Sequence, residues 1–138
     1  MLDPNNIRFN RRHPSVRELL DLVPASLDVP VTPEDVTALV ELLLVNGPMP
    51  AVVLSEAPDG TVVRLGAGAR FVSALRAFAG GARLGETAWV VGWAGKGLDD
   101  LEPWAKRRFF RRDVDVTLIE PGTTAPVADA VFAALARG

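Results

Sequence analysis

Two glycines and an arginine stand where a predicted strand would lead into a predicted helix, a pattern typical of anion-binding turns. The loop reads Gly66-Ala67-Gly68-Ala69, and Arg70 follows it at the start of the helix. Backbone N–H groups at a helix N-terminus can bind a phosphate, and an adjacent guanidinium would stabilise its charge. Gly66, Gly68, Ala69 and Arg70 are therefore the candidate anion- or nucleotide-binding residues. The alternative is a turn whose glycines only allow the strand and the helix to pack closely.

A second group of candidate residues is a basic run that also contains two phenylalanines. Basic side chains interleaved with aromatic ones can bind nucleic acid, and here they are Lys106, Arg107, Arg108, Arg111 and Arg112. Helical spacing turns Phe109 and Phe110 inward and the charges outward, as on any surface helix. We favour the simpler interpretation that these charges pair with nearby acids, namely Asp99, Asp100, Glu102, Asp113 and Asp115.

The other residue types that could do chemistry are scarce. The chain has no cysteine and one histidine, His13, which excludes disulfides, thiolate chemistry and multi-histidine metal sites. We predict no catalytic residue, no metal site and no cofactor, and we interpret His13, Arg64 and Arg76 as surface residues. The three tryptophans either fill the core or, where they are exposed, anchor a protein interface; they are Trp89, Trp93 and Trp104.

Composition narrows the class of protein further. The chain has 138 residues, of which 49% are hydrophobic, and this is typical of one globular domain. The net charge of −2 gives no overall attraction to nucleic acid or to an anionic membrane. No apolar run reaches the roughly 18 residues that span a bilayer, and the polar N-terminus lacks the apolar segment of a secretory signal. We therefore expect a protein located in the cytoplasm, without membrane contact. The absence of tyrosine and the richness in alanine, valine, arginine and glycine are typical of a GC-rich bacterial genome, so we expect a bacterial protein.

The elements that must position these residues follow one another in a mixed order. An extended arm over residues 1–14 precedes a single domain over 15–138. Within that domain we predict two helices capped by Ser15 and Thr32, a hairpin with strands 51–54 and 61–65, a helix over 70–79, a strand over 87–93, a basic helix over 101–111, a strand over 114–119 and a last helix capped by Thr124. This order indicates an α/β (α+β) fold with a mixed sheet.

The segment around the hairpin is specific enough to compare with a known family. Residues 47–54 read Gly-Pro-Met-Pro-Ala-Val-Val-Leu, and the helix after the hairpin contains Ser73-Ala74-Leu75. This layout resembles the N-terminal domain of GmrSD-type modification-dependent restriction proteins, a branch of the ParB/sulfiredoxin superfold. In that family a G-x-P-x-P segment precedes the hairpin, and a D-G-Q-Q-R signature leads into an L-[ST]-A-L helix. The resemblance implies a ParB/sulfiredoxin-like mixed sheet with surrounding helices.

The chain departs from the family at the polar positions of its site. Aligned on Ser73-Ala74-Leu75, the family's Asp falls on Ala67, its Gly on Gly68, its two Gln on Ala69 and Arg70, and its Arg on Phe71. A register one residue earlier places Arg70 on the family's Arg but still leaves the acidic position empty. The family's C-terminal Arg-Arg and Asn fall on Ala133, Ala134 and Ala136. Phosphoryl hydrolysis needs carboxylates and cations, so the resemblance implies a scaffold without that chemistry.

These observations predict a catalytically inactive ParB/sulfiredoxin-like domain that acts as a protein-interaction, structural or regulatory subunit. We expect its partner to be another protein or a second copy of the chain, giving a homo-oligomer. Two alternatives stay open. One is a nucleotide-binding or weakly NTP-hydrolysing domain that uses the Gly66–Arg70 loop, and the other is a DNA-binding accessory of a phage-defence system that uses the basic run.

Overall fold

The described residues form four helices and a four-stranded mixed sheet, which confirms the predicted α+β fold. A computed structural model describes residues 8–86, 89–120, 130 and 134. The elements are β1 (Phe9–Arg12), α1 (Val16–Leu22), α2 (Pro33–Leu44), β2 (Val52–Glu56), β3 (Val62–Leu65), α3 (Ala69–Ala79), α4 (Pro103–Arg111) and β4 (Val116–Ile119). Short 3-10 turns lie at Ala25–Leu27 and Leu98–Asp100.

The sheet has the order β1-β4-β2-β3, with β2 and β4 parallel and the two outer pairs antiparallel. Side chains alternate between its faces, as they must in a pleated strand. One face packs against the helices in the main core and carries Val52, Leu54, Val116 and Leu118. On the opposite face, Val53 and Ile119 pack together with Ala67. The two central strands are therefore buried on both faces.

Strand β1 comes from the segment that the sequence predicts to be a separate arm. Phe9 lies opposite Ile119 and Arg12 lies opposite Val116, so residues 9–12 form an edge of the sheet. The described part of the predicted arm therefore belongs to the domain, because its residues 9–12 are a strand of the sheet. The physical reason is backbone pairing, which joins even a polar segment such as Asn10-Arg11-Arg12 to a neighbouring strand.

Both predicted helix caps at the start of the domain are confirmed. The Ser15 hydroxyl accepts a hydrogen bond from the Glu18 amide at 3.2 Å, and the Thr32 hydroxyl accepts one from the Asp35 amide at 3.1 Å. In both helices the acidic side chain reaches back to the amide of the capping residue. These reciprocal bonds satisfy amides that lack partners in the first helical turn.

The prediction of a strand over 87–93 is wrong for the residues that the structure describes. The chain turns repeatedly from Trp89 onward, because the Trp93 amide donates to the Val90 carbonyl and the Lys96 amide donates to the Trp93 carbonyl. Gly92 has a φ of 95°, which ends any extended run. Thr87 and Ala88 lie outside the described residues. So does most of the predicted last helix, of which only Ala130 and Ala134 are described, both as helical.

The hairpin between β2 and β3 is confirmed, and the Asp59 carboxylate organises its turn. Asp59 accepts hydrogen bonds from the Thr61 hydroxyl and from the Thr61 amide, the latter at 3.0 Å. The hydroxyl, and then the amide, hold the pKa of Asp59 below its ordinary value of 3.8. Asp59 therefore stabilises the fold above pH 3.8, and this contribution is lost as the pH falls through the lower pKa of the folded state.

An NMR titration of the carboxyl groups tests this turn. We expect the midpoint of Asp59 to lie below 3.8 in the native protein. In Thr61→Val, which keeps the amide and removes the hydroxyl, the midpoint should move back toward 3.8. Equal midpoints in the two proteins would show that the hydroxyl does not bind the carboxylate.

Candidate functional site

The Gly66–Arg70 loop lies where the sequence places it, between β3 and α3. Hydrogen bonds tie the loop to β2: the Gly66 amide donates to the Val53 carbonyl, and the Val53 amide donates to the Ala67 carbonyl. The Ala69 amide donates to the Gly66 carbonyl within the loop. Two of the amides that an anion would need are therefore already hydrogen-bonded within the protein.

Gly68 is the residue that lets this loop approach the sheet. Its φ of 82° is left-handed, and a Cβ placed on it would lie 2.7 Å from the Ala51 carbonyl oxygen. Both features require glycine. Arg70 is exposed beside the loop, with its Nε 3.8 Å from an Asp35 carboxylate oxygen. The geometry therefore supports the close-packing role that the sequence left open as the alternative to anion binding.

The basic run lies on α4 and at its C-terminal cap, Arg112. Its side chains divide into two groups with different roles. Arg108 and Arg112 turn toward the C-terminal end of α2, where the last carbonyls of a helix lack intrahelical partners. Arg108 donates to the Leu44 carbonyl at 3.0 Å. Arg112 donates to three oxygens, which belong to the Leu43 carbonyl at 3.1 Å, the Asn46 side chain at 2.9 Å and the Gly47 carbonyl at 2.9 Å. These two arginines hold α2 and α4 together.

The other basic residues of α4 face solvent. Lys106, Arg107 and Arg111 line a cleft of about 500 Å³ between α1 and α4, together with Ser15, Arg17 and Phe110. The Arg17 guanidinium lies over the Phe110 ring, with its Cζ 4.3 Å from the ring centroid. Phe109, the neighbouring phenylalanine, is fully buried and packs against Phe78 with the ring centroids 5.3 Å apart. We call Arg17, Lys106, Arg107 and Arg111 the basic cleft.

The predicted pairing of this run with nearby acids is only partly correct. Lys106 lies 3.5 Å from an Asp99 carboxylate oxygen. Asp100 pairs with Arg83 instead, and Asp115 pairs with His13 at 2.8 Å. Within residues 8–86 and 89–120, no acid lies within ion-pair distance of Arg107 or Arg111. Asp100 and Asp115 are close to Arg107 and Arg111 in sequence, but in the fold they pair with Arg83 and His13.

Arg76 is a partly buried structural residue, and its interpretation as a solvated surface charge is wrong. Its guanidinium donates to the Leu20 carbonyl at 3.1 Å and to the Val23 carbonyl, and its Nε lies 2.8 Å from an Asp28 oxygen. It therefore binds the C-terminal end of α1, just as Arg108 and Arg112 bind the end of α2. Arg64 is exposed on β3, and His13 is exposed beside Asp115.

Two of the three tryptophans, Trp89 and Trp104, are exposed. Trp93 is 5% exposed and packs against Trp104, with the ring centroids 6.4 Å apart. Trp104 itself is 45% exposed, and Arg108 lies over its ring at 5.1 Å. Trp89 is 62% exposed, and Val91 is fully exposed. We call Trp89, Val91 and Trp104 the tryptophan surface.

Polar residues of α2 hold the segment that carries Trp89 and Val91. The Glu41 side chain is fully buried, and its Oε2 accepts hydrogen bonds from the Trp89 amide at 2.6 Å and the Val90 amide at 3.2 Å. Its Oε1 is buried without a hydrogen-bond partner among the described residues. One turn earlier, the Thr37 hydroxyl accepts from the Gly85 amide at 2.8 Å.

Thr37 and Glu41 are not among the residues predicted from sequence, although the sequence contains a signal for them. Both lie on the apolar stripe of α2, four residues apart, at positions where aliphatic side chains are expected. A carboxylate in such a stripe must bind donors from another segment, because an unpaired buried charge is costly. The segment that supplies the donors could not be identified from sequence.

The described part of the chain contains neither a candidate metal site nor a candidate membrane span. No cluster of three or more His, Asp or Glu side chains suited to a metal ion occurs among those residues. None of the helices they form has the length and apolar character needed to cross a membrane.

Comparison with known proteins gives no relative for this chain. No family model matches the sequence, and neither a curated protein nor a solved structure is significantly similar to it.

Proposed function

We propose that this chain is a non-catalytic α+β domain that acts by binding another protein chain through its tryptophan surface. The observation that carries the proposal is the exposure of three large apolar side chains, those of Trp89, Val91 and Trp104. Tryptophan is the residue most enriched among interface positions that dominate binding energy. A folded domain that leaves such side chains in water gains stability when a partner covers them.

The tryptophan surface is supported by rigid contacts, as a binding surface requires. Trp104 is fixed between the buried Trp93 ring and the Arg108 guanidinium, which itself is anchored on the Leu44 carbonyl. The backbone of Trp89 is fixed by the buried Glu41 carboxylate. Preorganised side chains lose less entropy on binding, so more of their contact energy appears as affinity.

The lack of a carboxylate or amide side chain in the Gly66–Arg70 loop favours binding over catalysis. Ala67 packs its methyl group with Val53 and Ile119, and Gly68 seats the loop against Ala51 and Val52. Under the predicted ParB/sulfiredoxin-like alignment, Ala67 occupies the acidic position of the family signature. A methyl group cannot hold a metal ion or orient water, so a scaffold role fits these residues best.

Site-specific photo-cross-linking in the native cells tests the proposal. We expect a benzophenone amino acid at position 104 or 89 to give a discrete protein adduct. An adduct of twice the chain mass identifies a second copy as the partner, and any other mass identifies a different protein. Substitution of Trp104 by alanine should weaken the isolated complex by about 30-fold, the loss typical of a residue worth about 2 kcal/mol.

The matched control places the same photoreactive residue at Asp59, in the exposed hairpin turn. This position should give no discrete adduct. Equal adducts at positions 59 and 104, or none at 89 and 104, would contradict the proposal. The melting temperature of Trp104→Ala shows whether its effect is on binding, because half of that side chain packs on Trp93.

A further inference from the structure

The basic cleft concentrates positive charge that the described fold does not neutralise. Its four cationic side chains are Arg17, Lys106, Arg107 and Arg111. Only Lys106 has an acidic partner among the described residues, and the Asp99 carboxylate of that pair is almost fully exposed. Like charges held this close repel one another and destabilise the folded chain. An anionic ligand would remove that repulsion.

Arg107 and Arg111 form a ridge with a cleft on each side. They are four residues apart on α4, so their Cβ atoms are roughly 5–6 Å apart on the same face of the helix. The larger cleft, of about 500 Å³, lies toward α1, and a second of about 340 Å³ lies toward Asn46, Arg108 and Arg112. Two guanidinium groups on such a ridge can bind successive phosphates of an extended chain, because each is a planar fork that matches phosphate oxygens.

The larger cleft also has a flat, stacked surface. The Arg17 guanidinium covers the Phe110 ring, and both side chains line the cleft. Guanidinium planes and aromatic rings are the groups on which unpaired bases stack in single-stranded nucleic acid complexes. The acidic side chains of a peptide would use the cations but not the stacked surface, whereas a nucleic acid uses both through its phosphates and its bases, so the combination favours a nucleic acid.

We propose that the basic cleft binds single-stranded nucleic acid. The phosphates bind Arg107, Arg111 and Lys106, and an unpaired base stacks on the Arg17–Phe110 pair. The overall charge of −2 does not oppose this binding, because at physiological ionic strength exposed charges are screened beyond about 8 Å. Neither Trp89 nor Trp104 lines the cleft, and oligonucleotide binding and protein cross-linking are measured separately, so either proposal can fail without the other.

Fluorescence anisotropy with a labelled oligothymidylate of about 12 nucleotides tests this inference. We expect saturable binding at about 50 mM salt. With three phosphate-binding cations contributing about 0.7 each, the slope of log affinity against log salt should be about −2, a loss of about 20-fold on going to about 200 mM. The variant Arg107→Gln/Arg111→Gln should reduce that slope to about one third and weaken binding at about 50 mM by about tenfold or more.

The matched control is Arg11→Gln/Arg12→Gln, which removes the same charge from the exposed edge strand β1. It should bind like the unmodified chain, and circular dichroism should show that both double variants are folded. Absence of binding at about 50 mM salt would overturn the proposal. So would equal losses in the two double variants, or displacement of the oligonucleotide by polyglutamate at equal charge concentration, which would indicate a site for acidic peptides.

Discussion

Substitution of Gly68 by alanine should lower the free energy of unfolding by about 2–5 kcal/mol. A left-handed φ costs a non-glycine residue about 1–2 kcal/mol, and Gly68 has a φ of 82°. The added Cβ would also lie 2.7 Å from the Ala51 carbonyl oxygen and 3.0 Å from the Val52 Cα. Because both atoms belong to the backbone of the central sheet, relief requires the loop or β2 to move, at a further cost of about 1–3 kcal/mol.

Gly60→Ala is the matched control for this effect. Gly60 has a similar φ of 89°, but a Cβ placed there meets nothing within 4 Å. Gly60→Ala should therefore lower the free energy of unfolding only by the cost of the left-handed φ, about 1–2 kcal/mol. Chemical denaturation of the two variants measures the difference. Equal losses would mean that Gly68 is needed only for its dihedral angle and that close packing against β2 is not what fixes the loop.

Substitution of Arg112 by glutamine should lower the free energy of unfolding by about 2–4 kcal/mol. Its guanidinium donates to the Leu43 carbonyl, the Asn46 side chain and the Gly47 carbonyl. A hydrogen bond to a charged group contributes about 1.5–3 kcal/mol, and the full sum is not lost because water and Arg108 still reach this helix end. A positive charge at the C-terminal end of α2 is also favoured by the helix dipole.

The neighbouring residue provides the control, because Arg111 is exposed and has no ion pair among the described residues. Arg111→Gln should change the free energy of unfolding by less than about 0.5 kcal/mol, as is usual for a surface substitution. The two variants remove the same charge from adjacent positions. Thermal and urea unfolding measure their free energies of unfolding, which can be compared directly. If the two variants were equally stable, Arg112 would not be the connection between α2 and α4.

The features that could be predicted from sequence are those decided within a few residues. The cap at Ser15 depends on Glu18 only three positions away, and the hairpin turn depends on Asp59 and Gly60. The position of the glycine loop at the start of α3 followed in the same way. The sequence could not decide between anion binding and close packing for this loop, because it does not show that Gly68 faces Ala51.

The errors come from contacts between distant segments. The run Trp-Val-Val-Gly-Trp has the composition of a strand, but the Glu41 carboxylate takes the amides that a neighbouring strand would have bound. The periodicity of α4 correctly predicted that Phe109 is buried. It could not show that Arg108 and Arg112 face the unpaired carbonyls at the end of α2, whereas Arg107 and Arg111 face solvent. The candidate nucleic-acid surface is therefore smaller than the run of basic residues.

The order of the strands has a consequence for how the protein is made. Because β4 lies between β1 and β2, β1 has no partner strand and the β2–β3 hairpin stays separate from it until residues 116–119 leave the ribosome. Before that point β2 and β3 are the only described strands that can pair, and an isolated two-stranded hairpin is marginal in water. The sheet therefore forms late in translation, when β4 inserts between the unpaired β1 segment and the hairpin.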